Sequence, residues 1–523
     1  MARSMFALLV FLVQMPRYAA IDIGSNSVRM MAAEVRPGST QILAQDRQVT
    51  RLGESVFREG RVSVEALNFL GATLQRMAAS YQKLDVVGIR AVATSAVRDA
   101  GNQAEFLQRV TAALGTPVEI ISGQEEARLI HLGVESRWRR PKERTLIVDV
   151  GGGSGELIVS QNGELIDSIS RPLGAVRVTE LFLTMDPPSQ QALSQLDQYI
   201  NEKLAAFVKR HGSEKFDRVV ATSSTAAALV CAVNRIPRAQ RDTADRARAS
   251  TAQIRRFFEF LIKEDVNERR RWIGIGPRRA EIIVAGAAVF LRVLQSIHHH
   301  SMYYSAAGVG DGIVADLAAR RVGRELSLLS REQRQVVEAM TKRYGAAIKH
   351  ARQVASLAHG LFEAMQPLHN QPAAAGKLLE AAAYLHDIGH FVSDTSHHKH
   401  SAYLVANSDL PGFTDKERLI VAAICRFHRK SMPQARHSHF QTLDADAWRS
   451  VLYLSPLLRL ADALDRGHEQ KVRKVAASLK NGSVGLQVEA DADAELEIWA
   501  ASEAGAAFRE VYARPLSIQR VRQ

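Results

Sequence analysis

The segment "IVDVGGGSGELIV" at residues 147–159 decides the fold, because it places one acid, Asp149, between a β-branched run and three consecutive glycines. A closely similar phrase, "AAIDIGSNSVRMMAAEV", occupies residues 19–35 and places Asp22 at the matching position. In each copy an apolar strand ends in D-x-G, a turn of small residues follows, and a second apolar strand begins, which is the pattern of a β-hairpin. The chain between the two acids is long enough for one α/β lobe per copy. The repeat therefore predicts a duplicated two-lobe fold.

The loops of both hairpins have a composition that suits a bound phosphate. Glycine lets the backbone approach a ligand closely, and consecutive N–H groups form a concavity that binds anions. Serine and asparagine side chains add neutral hydrogen-bond donors. The candidate phosphate-binding residues are Asp22, Gly24, Ser25, Asn26, Ser27, Gly151, Gly152, Gly153 and Ser154. The alternative is that both segments are structural hairpins in which the glycines serve only the turn.

The acids of these hairpins require a cation, because a carboxylate repels phosphate unless a cation or a water molecule lies between them. Asp149 and Glu156 stand on either side of the second turn. Mg²⁺ prefers carboxylates together with waters and substrate oxygens. We therefore expect these two residues to be ligands of Mg²⁺ or of another divalent cation.

Residues 119–134, "EIISGQEEARLIHLGV", predict a helix that begins near Ser122. Glu125 has the spacing of a capping box with Ser122, and an apolar helical pattern comes next. Capping gives Glu125 a structural role in the first turn and leaves Glu126 without one. Glu126 is therefore either a base at the cleft wall, able to take a proton from water, or a solvated helix residue.

Residues 17 to about 320 resemble the exopolyphosphatase and guanosine pentaphosphate phosphatase family of the actin-like ATPase superfamily. The matching phrases are the two hairpins, the segment at residues 119–130 and "AVATSAVRDAGN" at residues 91–102. The resemblance implies an α/β actin-like (ribonuclease H-like) duplicated fold. In that fold two lobes enclose a cleft, and the D-x-G loops face each other across it.

The same resemblance implies roles for individual residues. It makes Glu126 the general base and Arg98 a phosphate contact in catalysis. It also places Asp149, Gly151 and Glu156 at the metal. The expected chemistry is phosphoryl transfer to water, in which Mg²⁺, Arg98 and the loop N–H groups neutralise charge while Glu126 activates the water.

The sequence departs from the family pattern at several points. The phrase "VVATSSTAAALV" at residues 219–230 lacks a glycine-rich turn, which puts a snug site for a nucleotide base in doubt. Gly310 stands where the family often carries an arginine. Arg278 and Arg279 precede an apolar segment that we expect to form a packed helix, and the two arginines are either solvated or line the cleft.

The second half of the chain, from about residue 320, becomes alanine-rich with a helical apolar period. Its histidine and aspartate pattern resembles the signature of HD-domain phosphohydrolases, in which imidazole and carboxylate groups bind a divalent metal. The candidate ligands of this second metal are His350, His386, Asp387 and Asp462. Further histidines in the intervals are His390, His400 and His428, and "SHHKH" at residues 396–400 is either a surface loop or a ligand set. An independent hydrolase activity here is left open.

Basic residues cluster beside this candidate site. A long polyanion needs positive charge along its path. The candidates for a polyanion channel are Arg426, His428, Arg429 and Lys430. The alternative is a solvated basic face.

The tail after residue 470 changes composition again. "SVGLQVEADADAELEIWAAS" at residues 483–502 predicts two strands around a "DADA" turn, and residues 503–516 predict a helix. This gives a small α+β unit after an all-α HD-like domain. The predicted boundaries are an extension at 1–16, lobe I at 17–137, lobe II at 138–320, the helical domain at 321–469 and the tail at 470–523.

The composition bounds the class of protein. Lys and Arg total 68 against 55 Asp and Glu, giving a net charge of +13, which favours a polyanionic partner. Aromatic residues are only 6%, which disfavours a base-stacking surface, so no nucleic acid is expected. Two cysteines without a CxxC pair indicate a reducing, cytoplasmic setting.

The segment "MFALLVFLV" at residues 5–13 resembles the apolar core of a signal peptide. It is too short to cross a membrane, and we interpret it as an extension before Met15. Peripheral membrane contact stays open.

Together these features predict an exopolyphosphatase that removes terminal orthophosphate from inorganic polyphosphate with Mg²⁺. The principal alternative is a guanosine pentaphosphate (pppGpp) 5′-phosphohydrolase, since the resemblance alone does not rank the two substrates. A nucleotide-dependent kinase of the superfamily and a polyphosphate- or alarmone-binding regulator are further alternatives. The family resemblance also suggests a homodimer.

Overall fold

The computed structural model describes residues 15–139, 142–321, 327–434, 437, 443–480, 482–490 and 493–521. The chain divides into two compact units, of which the first ends at Arg320 and the second begins at Arg321. The predicted signal-like segment at residues 5–13 lies outside the described residues. None of the helices in the described part of the chain combines the length and the apolar content that a membrane crossing needs.

Two sheets form the first unit. The first sheet has the order β3-β2-β1-β4-β5 and consists of β1 (Arg17–Ile23), β2 (Ser27–Arg36), β3 (Ser39–Val49), β4 (Gly88–Ala93) and β5 (Val118–Ile120). The second has the order β10-β11-β9-β6-β7-β8 and consists of β6 (Arg144–Val150), β7 (Gly155–Gln161), β8 (Glu164–Arg171), β9 (Arg218–Thr222), β10 (Arg248–Ser250) and β11 (Ser301–Tyr304). In both sheets an antiparallel three-strand meander continues into a parallel strand, β4 or β9. The predicted duplicated two-lobe α/β fold is confirmed.

Helices cover these sheets. They are α1 (Leu52–Glu59), α2 (Val64–Gln82), α3 (Ser95–Asp99), α4 (Gln103–Leu114), α5 (Gly123–Arg137), α6 (Ala175–Phe182), α7 (Gln190–His211), α8 (Ser223–Val233), α9 (Thr251–Leu261), α10 (Val266–Arg269), α11 (Ile283–Ser296) and α12 (Val309–Arg321), with a 3-10 helix at Arg238–Ala244. The apolar segment after Arg279 forms α11, which is buried along most of its length, as its pattern predicts.

The turns of the two predicted hairpins are closed in the same way. The N–H of Gly24 donates to the carbonyl of Ser27 (3.1 Å), and the N–H of Gly151 donates to the carbonyl of Ser154 (3.0 Å). These two N–H groups are therefore occupied within their own turns. The predicted phosphate site would therefore depend on N–H groups further along each turn, and it stays a prediction.

Helix α5 begins at the predicted cap, where Ser122 Oγ accepts the N–H of Glu125 (3.2 Å). The prediction that the Glu125 side chain completes a capping box is wrong. Its carboxylate pairs instead with Arg128 (2.7 Å) and Arg90 (3.0 Å). Both arginines are buried, so this carboxylate is needed inside the protein as a counter-charge.

A buried ion network holds α5 in place. Asp316 on α12 accepts from Arg128 of α5 (3.0 Å) and from Arg90 of β4 (3.3 Å). Burial alone would raise the pKa of Asp316, but Arg128, Arg320 and Arg90 hold it well below its usual range. A Cβ added at Gly312 would overlap the carbonyl of Leu129, so α5 and α12 are in backbone contact. The first turn of α5 therefore has a fixed position in the first unit.

The second unit is helical at first and ends in a small sheet. Its helices are α13 (Arg331–Arg343), α14 (Ile348–Ala364), α15 (Gln366–His369), α16 (Ala374–Leu385), α17 (His397–Ala406), α18 (Asp415–Phe427), α19 (Ala445–Ala463) and α20 (Glu495–Tyr512), with a 3-10 helix at Ile388–Phe391. The sheet, in the order β12-β13-β14, consists of β12 (Val472–Lys480), β13 (Ser483–Ala490) and β14 (Leu516–Val521). Helices and strands share one apolar core, to which both Leu361 and Leu486 belong.

The predicted strand at residues 495–502 is wrong, because these residues form the start of α20 and the antiparallel partner of β13 is β12. The buried side chains of α20 include Glu497, Ala501 and Phe508, which follow a helical rather than an alternating period. The alternation of glutamates with Leu496 and Ile498 gave the segment its strand-like pattern, but in the structure Leu496 is exposed and Glu497 is buried.

Candidate active site

The two glycine-containing loops meet face to face within the first unit. A Cβ added at Gly152 would lie 3.0 Å from the Cβ of Ser25 and 3.1 Å from the backbone nitrogen of Asn26. A Cβ added at Gly153 would lie 2.7 Å from Ser25 Oγ. The absence of side chains at these glycines is therefore what lets the second loop approach the first.

A narrow cleft of about 80 Å³ separates the loops. It includes Glu126 and every candidate phosphate-binding residue, but not Arg98 or Glu156. Its lining residues are Asp22, Gly24, Ser25, Asn26, Ser27, Arg29, Thr94, Glu126, Asp149, Val150, Gly151, Gly152, Gly153, Ser154, Ser223, Ser224, Thr225, Arg279, Gly308 and Val309.

Glu126 lies in the first turn of α5 and is only 8% exposed. Its Oε2 accepts a hydrogen bond from Arg98 Nη1 (2.9 Å), and the same Nη1 donates to the carbonyl of Ile121 (2.9 Å). Arg98 thus orients the carboxylate that faces the cleft. The role of Arg98 as a phosphate contact stays a prediction.

Asp22 and Asp149 occupy equivalent positions at the ends of β1 and β6. Burial raises the pKa of Asp22 to about 7, with Arg29 opposing the shift and the charges of Glu126 and Asp149 adding to it. Burial also raises the pKa of Asp149 to about 6, although a hydrogen bond donated by Thr222 opposes the shift. The cleft therefore concentrates buried carboxylates that repel one another.

Glu156 completes this acidic group from β7, where its strand partner is Asp149. Its side chain is fully buried, and Oε1 accepts a hydrogen bond from Ser170 (2.8 Å). Oε2 has no hydrogen-bond partner among the described residues. Burial, together with the charges of Glu126 and Asp149, raises the pKa of Glu156 well above its usual range. A cation would supply the positive charge that this group lacks.

Two arginines, Arg29 and Arg279, lie in the cleft beside the predicted phosphate-binding residues. Arg29, the strand partner of Asp22, donates to Ser224 Oγ (2.9 Å). Arg279, which the sequence left open, donates to Thr225 Oγ1 (3.0 Å). The sequence did offer a signal for Arg29, because it lies close to the first turn, near the start of β2.

A second cavity of about 520 Å³, which we name the arginine cavity, adjoins the cleft and shares Asn26, Ser224 and Arg279 with it. Its arginines are Arg47, Arg238, Arg241, Arg278 and Arg279. No acidic or aromatic side chain is among its described lining residues.

The crowding of positive charge in the arginine cavity shifts two of its side chains. Burial lowers the pKa of Arg47 to about 9, and Arg29, Arg241, Arg279 and Arg238 add to that shift. The pKa of Arg279 is lowered to about 9 for the same reasons. Positive charges held this close together favour a bound polyanion.

The four predicted ligands in the second unit lie together. Nε2 of His350 and Nε2 of His386 lie 3.4 Å and 3.5 Å from Asp462 Oδ1. The same two atoms lie 3.8 Å and 3.6 Å from Asp387 Oδ2. Within the described parts of the chain, groups of three histidine or carboxylate ligands with atoms within 4.8 Å of one another occur only in this unit.

The prediction that His428 belongs to a polyanion channel is wrong. Arg429 and Lys430 are exposed, and Arg426 is half-buried. His428 is only 2% exposed and points toward His397 (3.3 Å between the Nε2 atoms), so it cannot contribute to a basic surface. Sequence reasoning also left His397 undecided, because nothing local distinguishes it from the rest of "SHHKH".

The chain is similar to proteins of one family. A model of the Ppx/GppA phosphatase family matches residues 31–321, and a model of domain III of that family matches residues 333–498. Among solved structures, the PPX-GPPA enzyme of Aquifex aeolicus has 28% sequence identity and a TM-score of 0.52, covering 58% of this chain and 99% of that one. An exopolyphosphatase-like protein has 29% identity and a TM-score of 0.54, covering 59% and 100%. An exopolyphosphatase from Cytophaga hutchinsonii, with 22% identity, a TM-score of 0.54 and coverage of 58% and 98%, supports the fold alone.

Proposed function

The chain belongs to the Ppx/GppA phosphatase family, and from that membership we propose that it is an exopolyphosphatase, which releases orthophosphate from the end of inorganic polyphosphate. The family acts on polyphosphate or pppGpp and depends on a divalent metal, so the chain is a phosphoanhydride hydrolase. The observation that carries the proposal is the meeting of two amide-lined loops beside Glu126, next to the arginine cavity.

The reaction requires a water molecule in line with the terminal phosphoanhydride bond. Glu126 accepts a proton from this water, whose oxygen attacks the terminal phosphorus. The bond to the bridging oxygen breaks, and the shortened chain leaves with that oxygen. Arg98 supports this step by holding the carboxylate of Glu126 in one orientation (2.9 Å).

The terminal phosphate is held by the N–H groups of the two loops. Those of Gly24 and Gly151 close their own turns, so the N–H groups of Ser25, Asn26 and the residues after Gly151 serve the phosphate. The side chains of Arg29 and Arg279 add positive charge at the cleft wall. Donors fixed in advance stabilise the charge that develops in the transition state.

The acidic group beside the loops fits a divalent cation, which we propose is Mg²⁺. The unpartnered Oε2 of Glu156 and the raised pKa of Asp149 are what a carboxylate pair shows without its counter-charge. Asp149 and Glu156 would hold the ion, together with the backbone of Gly151. Few protein ligands and several waters are the usual environment of Mg²⁺. When bound, the ion neutralises phosphate oxygens in the transition state.

The arginine cavity favours polyphosphate over pppGpp as the preferred substrate. It offers five guanidinium groups and no aromatic ring for a base among its described lining residues. A polyphosphate chain would place successive phosphates there, beyond the terminal group in the cleft. Bidentate guanidinium–phosphate pairs match this chemistry.

The experiment compares orthophosphate release from long-chain polyphosphate, tripolyphosphate, pppGpp and a nucleoside triphosphate. The test variant is Arg238→Ala/Arg241→Ala, because these arginines line the arginine cavity but not the cleft. The matched control is Arg255→Ala/Arg256→Ala, which removes the same charge from the exposed face of α9. KM for long-chain polyphosphate should rise by about tenfold or more in the test variant only. An equal loss on tripolyphosphate, or a preference for pppGpp, would contradict the proposal.

Four further features complete the proposed function. The buried free thiols of Cys231 and Cys425 support a reducing, cytoplasmic location. Exposed Arg429 and Lys430 support a polyanion path along the second unit. The family resemblance supports a homodimer. His350, His386, Asp387 and Asp462 support a divalent metal of their own.

A further inference from the structure

The second glycine-containing loop, residues 151–154, turns its carbonyl groups toward the first turn of α6. The carbonyl of Gly151 accepts a hydrogen bond from the N–H of Ala175 (2.9 Å). The carbonyl of Gly152 accepts one from the N–H of Arg177 (3.0 Å). The backbone at the start of α6 therefore fixes the first two peptide planes of this loop.

The third carbonyl of the loop is held by a side chain instead of by the helix backbone. Arg177 Nε donates to the carbonyl of Gly153 (2.7 Å). Within the described part of the chain, no backbone N–H donates to this oxygen. The orientation of the peptide that joins Gly153 to Ser154 therefore depends on the guanidinium group of Arg177.

These three interactions decide where the N–H groups of the loop point. In a planar trans peptide, the carbonyl and the N–H that follows it point in opposite directions. Since the carbonyls face α6, the N–H groups of Gly152, Gly153 and Ser154 point away from that helix, and all three residues line the cleft. None of these N–H groups donates to an acceptor among the described residues. They are therefore available to an anion.

The guanidinium group of Arg177 is itself anchored on the other lobe. Its Cζ lies 4.0 Å from the centroid of the Phe57 ring in α1. Its Nη2 donates to Ser95 Oγ (3.2 Å) and to the carboxylate of Asp99, both in α3. A planar guanidinium group that is stacked and hydrogen-bonded in this way is a rigid support, because little of its freedom remains.

Helix α3 also holds the first glycine-containing loop, so one helix is connected to both loops. The N–H of Ala96 donates to Ser25 Oγ in the first loop (3.0 Å), and the preceding residue, Ser95, accepts from Arg177. A Cβ added at Gly153 would lie 2.6 Å from Ser95 Oγ, so the second loop packs directly on α3. The contacts of Arg177 therefore hold the second loop beside the first.

We propose that Arg177 is a positioning residue of the phosphate site. Through the carbonyl of Gly153 it directs the N–H of Ser154 into the cleft, and through Ser95 and Asp99 it holds the second loop against the first. Its effect on the reaction passes through the loop N–H groups, whose fixed orientation stabilises the charge that develops in the transition state. The inference rests on the proposed function in one respect, which is the assignment of the terminal phosphate to these loops.

The other role open to Arg177 is that of a simple tie between α6 and α1, and the chain offers a matched control for it. Arg58 of α1 forms an ion pair with Glu180 of α6, and neither residue lines the cleft. Arg58→Ala therefore removes a guanidinium group that joins the same two helices. Arg177→Lys is the conservative variant, because it keeps the charge but loses the planar fork of donors.

The first test is structural and requires no activity. Crystal structures of Arg177→Ala and Arg58→Ala are compared with a crystal structure of the wild type. The peptide between Gly153 and Ser154 should change its orientation in Arg177→Ala and keep it in Arg58→Ala. A wild-type orientation of this peptide in Arg177→Ala would overturn the proposal. If Arg177→Ala does not fold, the same comparison is made with Arg177→Lys.

The second test measures the binding of orthophosphate in the presence of Mg²⁺ by calorimetry, with urea unfolding of each variant alongside. The Kd should rise by about tenfold or more in Arg177→Ala, because one donor to a charged ligand is misdirected. Arg58→Ala should keep the wild-type Kd. Arg177→Lys should not restore the wild-type Kd, and full restoration would overturn the geometric role in favour of charge alone.

The third test separates kcat from KM. In Arg177→Ala, kcat should fall by about tenfold or more on tripolyphosphate and by the same factor on long-chain polyphosphate, because both place a terminal phosphate in the loops. The arginine-cavity variant Arg238→Ala/Arg241→Ala should instead raise KM for the long chain alone. A loss in Arg177→Ala that appeared only as a higher KM for the long chain would contradict the inference.

The outcomes distinguish this inference from the proposed function. A wild-type protein that binds orthophosphate but hydrolyses no polyphosphate would overturn the proposed function, and the binding comparison would still test Arg177. Equal orthophosphate affinity in wild type and Arg177→Ala would overturn the inference alone. A loss of activity in Arg177→Ala that came only with lower unfolding free energy, with the peptide orientation and the Kd unchanged, would also overturn it.

Discussion

Gly152→Ala tests whether the two loops touch as the structure shows. The Cβ of alanine would lie 3.0 Å from Ser25 Cβ and 3.1 Å from the backbone nitrogen of Asn26. Because carbon atoms pack at about 3.5–4.0 Å, the loops must separate by roughly 0.5–1 Å. Gly152 does not have a positive φ, so the effect of the substitution is steric rather than conformational.

The expected consequence is a loss of rate with a modest loss of stability. Overpacking costs about 1–3 kcal/mol of unfolding free energy. Displacing catalytic groups by up to about 1 Å costs roughly tenfold to 100-fold in kcat. The assay is orthophosphate release from polyphosphate at saturating substrate, together with urea unfolding.

Gly71→Ala is the matched control, since a Cβ there would meet nothing closer than 4.0 Å. Gly71 lies inside α2, where alanine is favoured over glycine by about 0.5–1 kcal/mol. The control should therefore keep kcat and gain stability. If Gly152→Ala kept wild-type kcat and stability, the facing-loop geometry would be refuted.

Two further predictions concern metal binding and the ion network. Asp149→Asn should raise the Mg²⁺ concentration for half-maximal activity by about tenfold or more, and an unchanged Mg²⁺ titration would exclude Asp149 from the metal site. Asp316→Asn should destabilise the protein by about 3–5 kcal/mol at pH 7, because it leaves Arg90 and Arg128 with less counter-charge. Since the folded pKa of Asp316 lies below its unfolded value of about 3.9, its contribution is present above that pH and is lost as the pH falls. Urea unfolding of wild type and Asp316→Asn should therefore show a difference in unfolding free energy that becomes smaller as the pH is lowered. A difference that grew on acidification would contradict this reasoning.

The hairpins and the position of Glu126 could be predicted because their signals are local. An apolar strand, D-x-G and a second strand occupy one short segment, and Ser122 marks the start of α5 within four residues of Glu126. The tail shows the limit of this kind of reasoning. Leu496 and Ile498 alternate with glutamates as in a strand, and only the burial of Glu497 and Ala501 shows that the segment is a helix.

The arginine cavity could not be predicted, since its members are distant in sequence and lie on β3, on the 3-10 helix and on the segment before α11. No periodicity links Arg47 to Arg241. The same is true of His397, whose partner His428 is brought to it by the packing of α17 against α18. Because tertiary structure brings the members of both groups together, the sequence alone does not show that they lie close to one another.

The role of Glu126 is tested most directly by orthophosphate release from long-chain polyphosphate with Mg²⁺, comparing wild type with Glu126→Gln. The control is Glu135→Gln, which removes a carboxylate from the same helix outside the cleft. Loss of a general base costs about 10²–10⁴ in rate, so kcat should fall by at least about 100-fold in Glu126→Gln and not in the control. A Glu126→Gln protein that hydrolyses polyphosphate at the wild-type rate would contradict the assignment of this carboxylate as the base.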